Sequence, residues 1–299
     1  MSFDYPLAVL QPGDLNNSRG DVLTESTWRF LAQGDSWFSI GQLPPWATSN
    51  ILFSLRLPNS AAALSLASPG KTLAQMVDWT REVKFVTYLA GGTLSYKWDA
   101  ILLSAGGNDL FDAILTLPTE TDPVRAAVRV LQAPNLVPAG TDVKRYVRSA
   151  GLSAFFNLLV GYFAQIVAKR DDPKSQSAGV PIFVHTYDCP QPRDAQAGPG
   201  VGPWLARAYT AYQIPAVDWL PLTTYLIQQW AQFLASLNGL LAARGVANAN
   251  FRPAYLIGTL NPAPASSRGP TGDWENEIHP SPQGYAKLGM AFEKQINLA

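Results

Sequence analysis

With only two histidines and one cysteine in the chain, few groups are available for catalysis. Ser36 stands in "LAQGDSWFSIG", between Gly-Asp and Trp, directly after an apolar run. A serine hydroxyl becomes a useful nucleophile only when a base within hydrogen-bond reach takes its proton. If that base is an imidazole, it is His185 or His279. His185 closes the buried-strand pattern "GVPIFVHTYD" (179–188), where a histidine is ordinarily a hydrogen-bonded core residue. His279 sits in "GDWENEIHPSPQGY", a polar segment before the last helical pattern. Metal chemistry finds no ligand set, because the histidines are far apart and Cys189 is alone. No Gly-rich phosphate loop follows the first strand pattern either, so neither a metal nor another cofactor is expected.

The elements around these residues alternate between strand and helix. "WRFLAQGDSW" (28–37) reads as a strand ending at Gly34, and "WDAILLSAGGNDL" (98–110) as a buried strand stopped by Gly106-Gly107. Between them, "AALSLASPGKTLAQMVDWTREVKF" reads as a short strand, a turn at Pro69-Gly70 and a helix. Helical spacing recurs from Asp142 to about Lys169 and over 222–243. "FRPAYLIGTLN" (251–261) is a last strand, and Ser281-Pro282 open a C-terminal helix. Alternation of this kind predicts a parallel sheet with helices on both faces, with chemistry in the loops beyond the strands' C-terminal ends. Ser36, Gly70, Asn108 and His185 all fall in or beside such loops.

Composition narrows the class further. The chain has 299 residues, 47% hydrophobic and 15% charged, enough to build a substantial core. Its 22 basic and 22 acidic residues cancel, so net charge offers no attraction to nucleic acid or anionic membrane. The single cysteine forbids an internal disulfide. The apolar run 158–168 is too short to span a bilayer, and the N-terminus lacks a basic n-region followed by a long apolar stretch. A soluble, cytoplasmic, single-domain protein (1–299) is the expectation; a removed leader or a non-Sec export route stays open.

"GDSW", "SPGKT", "GGND" and "IHPSPQGY" follow one another in an order that resembles the four blocks of the SGNH/GDSL hydrolases, a superfamily of esterases and lipases. The resemblance runs nearly from end to end. It implies a flavodoxin-like, three-layer α/β/α fold, with Ser36 as nucleophile and His279 as base. It also implies an oxyanion hole built from the Ser36 and Gly70 backbone N–H groups and the Asn108 side-chain amide. Fixed donors of that kind are worth on the order of 10²–10³ in rate each. Taken alone, "GGND" would equally be a turn whose Asn caps the next helix.

One position departs from the family pattern. Three residues before the base the family usually carries Asp, and here that residue is Asn276. An amide oxygen can hold the imidazole tautomer but supplies no full negative charge. Three readings follow: a Ser36–His279–Asn276 triad, a Ser–His dyad, or a carboxylate borrowed from Asp273, Glu275 or Glu277. The strings "WENEIHP" and "HTYDCPQPR" resemble a bacterial subgroup of the family, and that resemblance favours Asn276 as intrinsic over Asn276 as a lesion.

Trp37, Phe38, Trp46, Trp204 and Trp274 flank the implied catalytic loops, as an acyl pocket, a sugar-stacking platform or plain core. Trp37, His185 and Trp274 are the substrate-contact candidates. The chain exceeds a minimal domain of the family around 110–142 and 188–220, where substrate choice would be set. The expected activity is hydrolysis of a small carboxylic ester, an acyl lipid or an acylated sugar, through an acyl-enzyme. A carbohydrate O-acetylesterase or an acyltransferase would use the same machinery, and a binding protein on a degenerate hydrolase fold is the reading from another class. The oligomeric state is not legible.

Overall fold

The apolar runs read as strands lie side by side in the centre of the molecule. The computed structural model describes residues 5–39 and 49–298, and all structural statements concern these. The strands are β1 (Tyr5–Pro6), β2 (Ala8–Leu10), β3 (Trp28–Gly34), β4 (Arg56–Leu57), β5 (Ala61–Ser65), β6 (Ala100–Ser104), β7 (Ile182–His185) and β8 (Phe251–Ala254). The helices are α1 (Gly20–Glu25), α2 (Ser36–Ser39), α3 (Ile51–Ser54), α4 (Leu73–Met76), α5 (Val83–Ala90) and α6 (Gly107–Leu115). They continue with α7 (Pro123–Val128), α8 (Ser149–Arg170), α9 (Leu205–Ala211), α10 (Trp219–Ala242) and α11 (Pro282–Glu293).

Six strands form one sheet in the order β2-β5-β3-β6-β7-β8, parallel throughout. Counted from β3, the last five stand in the order 2-1-3-4-5 of flavodoxin-like sheets, and β2 adds an edge strand. Every residue of β5, β6 and β7 is buried, as expected of strands covered on both faces. On one side α8 packs against α5, α7 and α10; elsewhere α11 packs against α3, and α1 lies along β2 and β5. The result is a three-layer α/β/α arrangement. Its strand order reverses between β3 and β6, and the C-terminal ends of that pair carry Ser36 and Asn108. Crevices at such reversals are where open parallel sheets bind ligands.

Several elements differ from the sequence expectation for local reasons. The helix expected after Pro69-Gly70 is split into α4 and α5, because Asp78 folds back to accept from the N–H and hydroxyl of Thr80. The strand expected over 251–261 stops at Ala254, because the Asp188 carboxylate draws in the N–H groups of Gly258 and Leu260. The helix expected from Asp142 begins at Ser149, after a 3₁₀ turn at Val143–Tyr146. With 22 residues and an 18-residue stretch of mean hydropathy 1.6, α8 is long and apolar enough to cross a membrane, beyond what the run 158–168 suggests. Its residues Leu152, Phe155, Leu159, Phe163 and Ile166 are buried in the protein. Its terminal Arg170 forks onto Asp171 and donates to the carbonyls of Val180, Asn248 and Ala249.

Gly106 joins β6 to α6 with φ +91°, and a Cβ there would sit 2.2 Å from the Trp230 ring. Gly106→Ala therefore meets both an unfavourable backbone region and an immovable ring wedged in the core. A loss of about 2–4 kcal/mol in unfolding free energy is expected, read as a lower denaturant midpoint at unchanged slope.

Candidate active site

Ser36 is placed by the way β3 ends. Gly34 lies against β6 so closely that a Cβ would come within 2.7 Å of the Ser104 Cβ. Asp35 N–H still donates to the Ser104 carbonyl (3.0 Å), extending the ladder by one residue before the chain turns into α2. The Asp35 carboxylate accepts from Trp37 N–H (2.9 Å), as a helix-capping group does. Ser36 is thus the first residue of α2, and among the described residues nothing accepts from its backbone N–H.

Across the site, the loop before α11 carries His279. Its Nε2 lies 3.0 Å from Ser36 Oγ, and its Nδ1 lies 3.1 Å from Asn276 Oδ1. The same Oδ1 accepts from the backbone N–H groups of Ile278 (3.1 Å) and His279 (3.0 Å). Those two donors settle which end of the amide faces the ring, since an NH₂ could not accept them. An oxygen there can only accept, so Nδ1 carries the proton and Nε2 presents its lone pair to Ser36. Burial pushes His279 down to about 4, which keeps it neutral and able to act as a base at pH 7. Arg193 holds the loop from behind through the Asn276 carbonyl (2.8 Å).

The carboxylates that could have replaced Asn276 are engaged or turned away. Asp273 pairs with Lys287 at 2.7 Å and accepts from Asn261 N–H. Glu277 is fully buried and accepts from the N–H groups of Arg193, Trp204, Leu205 and Ala206, tying the loop 188–204 and the start of α9 to the loop that carries His279. Glu275 is exposed. None of the three is hydrogen-bonded to His279 among the described residues.

His185 belongs to a different network, beneath Ser36. Its Nδ1 accepts from Tyr187 N–H (3.2 Å), so Nε2–H donates to Ser104 Oγ (2.8 Å), which in turn donates to Asp35 (2.6 Å). Burial lowers His185 to about 3, and burial raises Asp35 to about 6 against the bonds it receives. Tyr187 completes the network by donating to Asp35 Oδ2 (2.6 Å), from a backbone strained at φ +61°. His185 therefore supports the loop that bears Ser36; its nitrogens face Ser104 and Tyr187.

A cavity opens beside Ser36, with about 440 Å³ of empty space including its mouth. Trp37, Asn108, Phe111, Tyr187, Ile227 and Trp230 are among its walls. The implied oxyanion residues are not all gathered there. Asn108 borders the cavity, and its amide gives one hydrogen to the Lys71 carbonyl (3.1 Å); among the described residues nothing accepts the other. Gly70 lies in the exposed turn just before Lys71 with φ +73°, and it does not border this cavity. Neither His185 nor Trp274 lines it: Trp274 is fully buried behind Trp37 and donates to the Asn261 carbonyl. Phe38 is buried against His185 and Phe292, whereas Trp204 stands edge-on to the His279 ring at 5.7 Å. Trp46 lies outside the described residues.

No protein-family model and no curated protein matches the chain. Solved structures do resemble it. A lipase from a goat rumen metagenome is 12% identical, with 91% of this chain and 100% of that one covered and a TM-score of 0.48. An extracellular lipase from Streptomyces rimosus is 14% identical over 90% and 100% of the two chains, with a TM-score of 0.43. A mutant acetyl-xylooligosaccharide esterase from Geobacillus is 12% identical over 91% and 95%, with a TM-score of 0.41.

The wall residues Tyr187, Ile227 and Trp230 were not legible as site residues. In the sequence Ile227 and Trp230 belong to the apolar stripe of a helix, and a stripe that walls a cavity has the same spacing as one that fills a core.

Proposed function

We propose that the chain is a serine hydrolase of the SGNH/GDSL type, cleaving small carboxylic esters through an acyl-enzyme. The observation that supports this most is the relay from Ser36 Oγ through His279 to Asn276 Oδ1 beside an apolar cavity. In the first step Ser36 Oγ attacks the ester carbonyl carbon while its proton passes to His279 Nε2. The tetrahedral oxyanion would be met by Ser36 N–H and the second amide hydrogen of Asn108; Gly70, the family's third donor, lies outside this cavity. Collapse expels the alcohol, which takes the proton from Nε2, and leaves the acyl group on Ser36. A water then repeats the sequence and releases the acid; a sugar or alcohol acceptor in place of water would make the same site an acyltransferase. The apolar walls suit an uncharged acyl group.

Turnover of p-nitrophenyl acetate or butyrate, with labelling of Ser36 by a fluorophosphonate, tests this reading. Both are expected. Absence of turnover together with absence of label would instead favour a binding protein on a hydrolase fold.

A further inference from the structure

Among the described residues Trp204 is the one aromatic ring set against His279, with ring centroids 5.7 Å apart and planes at 89°. Trp204 is half-buried, and His279 is 8% exposed. Both nitrogens of the imidazole are taken up by Ser36 and Asn276, so packing must keep water from the rest of that ring. The indole also packs on Gly202, where φ is +80° and a Cβ would lie 2.7 Å from it. Only glycine leaves the indole that seat.

The backbone of Trp204 is fastened separately. Trp204 N–H and Leu205 N–H donate to Glu277 Oε2, while Arg193 N–H (3.2 Å) and Ala206 N–H (2.7 Å) donate to Oε1. Four donors on two oxygens require a carboxylate, because the NH₂ of an amide accepts from none of them. The grip is mutual: Glu277 N–H donates to the Ala195 carbonyl, and the Arg193 guanidinium to that of Asn276. We infer that Trp204, clasped by Glu277, is a positioning residue whose ring shields the His279 imidazole from water. The inference rests on the ester-hydrolase reading and gives the loop 188–204 a part in it.

No charged side chain substitutes for that cover. Asp273 faces Lys287, Glu277 and Arg193 face backbone groups, and Glu275 is exposed. On the Ser36 side, Asp35 is bonded to Trp37 N–H, Ser104 and Tyr187. Burial is accordingly what lowers His279 to about 4.

Titration of the histidine rings by NMR tests the inference and needs no turnover. The chain has two histidines, so isotope-labelled histidine gives two ring signals, and the one lost in His279→Ala belongs to His279. Trp204→Ala is expected to raise the His279 midpoint by about a unit or more, from about 4 toward the ordinary 6.5, because water then reaches the ring. The acidic limb of kcat/KM for p-nitrophenyl butyrate should move upward with it, since only the neutral imidazole is a base. Trp204→Phe keeps an aromatic ring and should move the midpoint less. His185, whose ring neighbours are Trp37, Phe38, Tyr187 and Phe292, should stay at about 3, which a general loosening of the fold would not allow. Glu277→Gln sets an NH₂ against two donors and should raise His279 as well. Added to Trp204→Ala it should contribute little more, because both act through one ring.

An unmoved midpoint in a folded Trp204→Ala overturns the inference, whether or not Glu277→Gln folds, and so does an equal rise in Trp204→Phe. A rise in Trp204→Ala with none in a folded Glu277→Gln overturns the role of the clasp. These failures concern the shielding of His279 alone; ester turnover and fluorophosphonate labelling of Ser36 decide the hydrolase reading separately.

Discussion

Ser36→Ala is expected to reduce kcat/KM for p-nitrophenyl butyrate by on the order of 10⁴- to 10⁶-fold, and His279→Ala by a similar factor. On the proposed mechanism the two groups, 3.0 Å apart, act as one proton-transfer unit, so removing either removes the same step. The double variant should be no slower than the worse single one, where independent contributions would multiply. His279→Ala should also abolish fluorophosphonate labelling, because Ser36 without its base is an ordinary hydroxyl. Folding is not the explanation for the serine variant: Ser36 Oγ makes its bond to His279, whereas the supporting network runs through Asp35, Ser104, His185 and Tyr187. An unchanged melting temperature in Ser36→Ala checks this. His185→Ala separates the two histidines. It disrupts Ser104 and Asp35, so its loss of activity should come with a loss of stability, whereas that of Ser36→Ala should not. A folded His279→Ala more active than an equally folded His185→Ala would transfer the role of base to His185.

Much of this arrangement could be read from the chain because each part has a local signature. Strands buried on both faces appear as unbroken apolar runs, and Gly34 and Gly106-Gly107 mark where β3 and β6 stop. The cap Ser281 with Pro282 behind it fixes the start of α11 to the residue, with Gly284 N–H on the serine hydroxyl. The three-residue strand β2 has no such signature, being too short to show a period. The rest depends on tertiary contacts that spacing does not encode. That Glu277 holds the loop 188–204 while its neighbour Asn276 faces His279 follows from which way each side chain leaves a single turn. That His185 serves Ser104 and not Ser36 depends on the register of β6 and β7. The placement of Gly70 away from the cavity depends on how the turn 68–72 lies over Asn108.

Asn276 gives the sharpest test of how the base works. Asn276→Ala removes an oxygen that accepts three bonds, two from the backbone and one from His279 Nδ1–H. The ring then loses its preference for the tautomer with a free Nε2, and kcat is expected to fall by on the order of 10²-fold or more. Asn276→Asp keeps the acceptor and adds a charge, and here the direction depends on pH. In the native protein burial holds His279 down to about 4, and the amide supplies no charge to oppose it. The neutral, base-competent imidazole therefore persists as pH falls through 6.5, and the acidic limb of kcat/KM should lie near pH 4 to 5. A carboxylate at 276 favours the imidazolium, so it raises the histidine's pKa and moves that limb upward by about a unit or more. Below the shifted limb Asn276→Asp should be slower than the wild type. Above it kcat should be equal or higher, because the imidazolium formed in the transition state gains a counter-charge. A pH profile of kcat/KM for both proteins reads these outcomes together. Coincident acidic limbs would mean that position 276 does not act on His279, and the Ser36–His279 pair would then stand as a dyad.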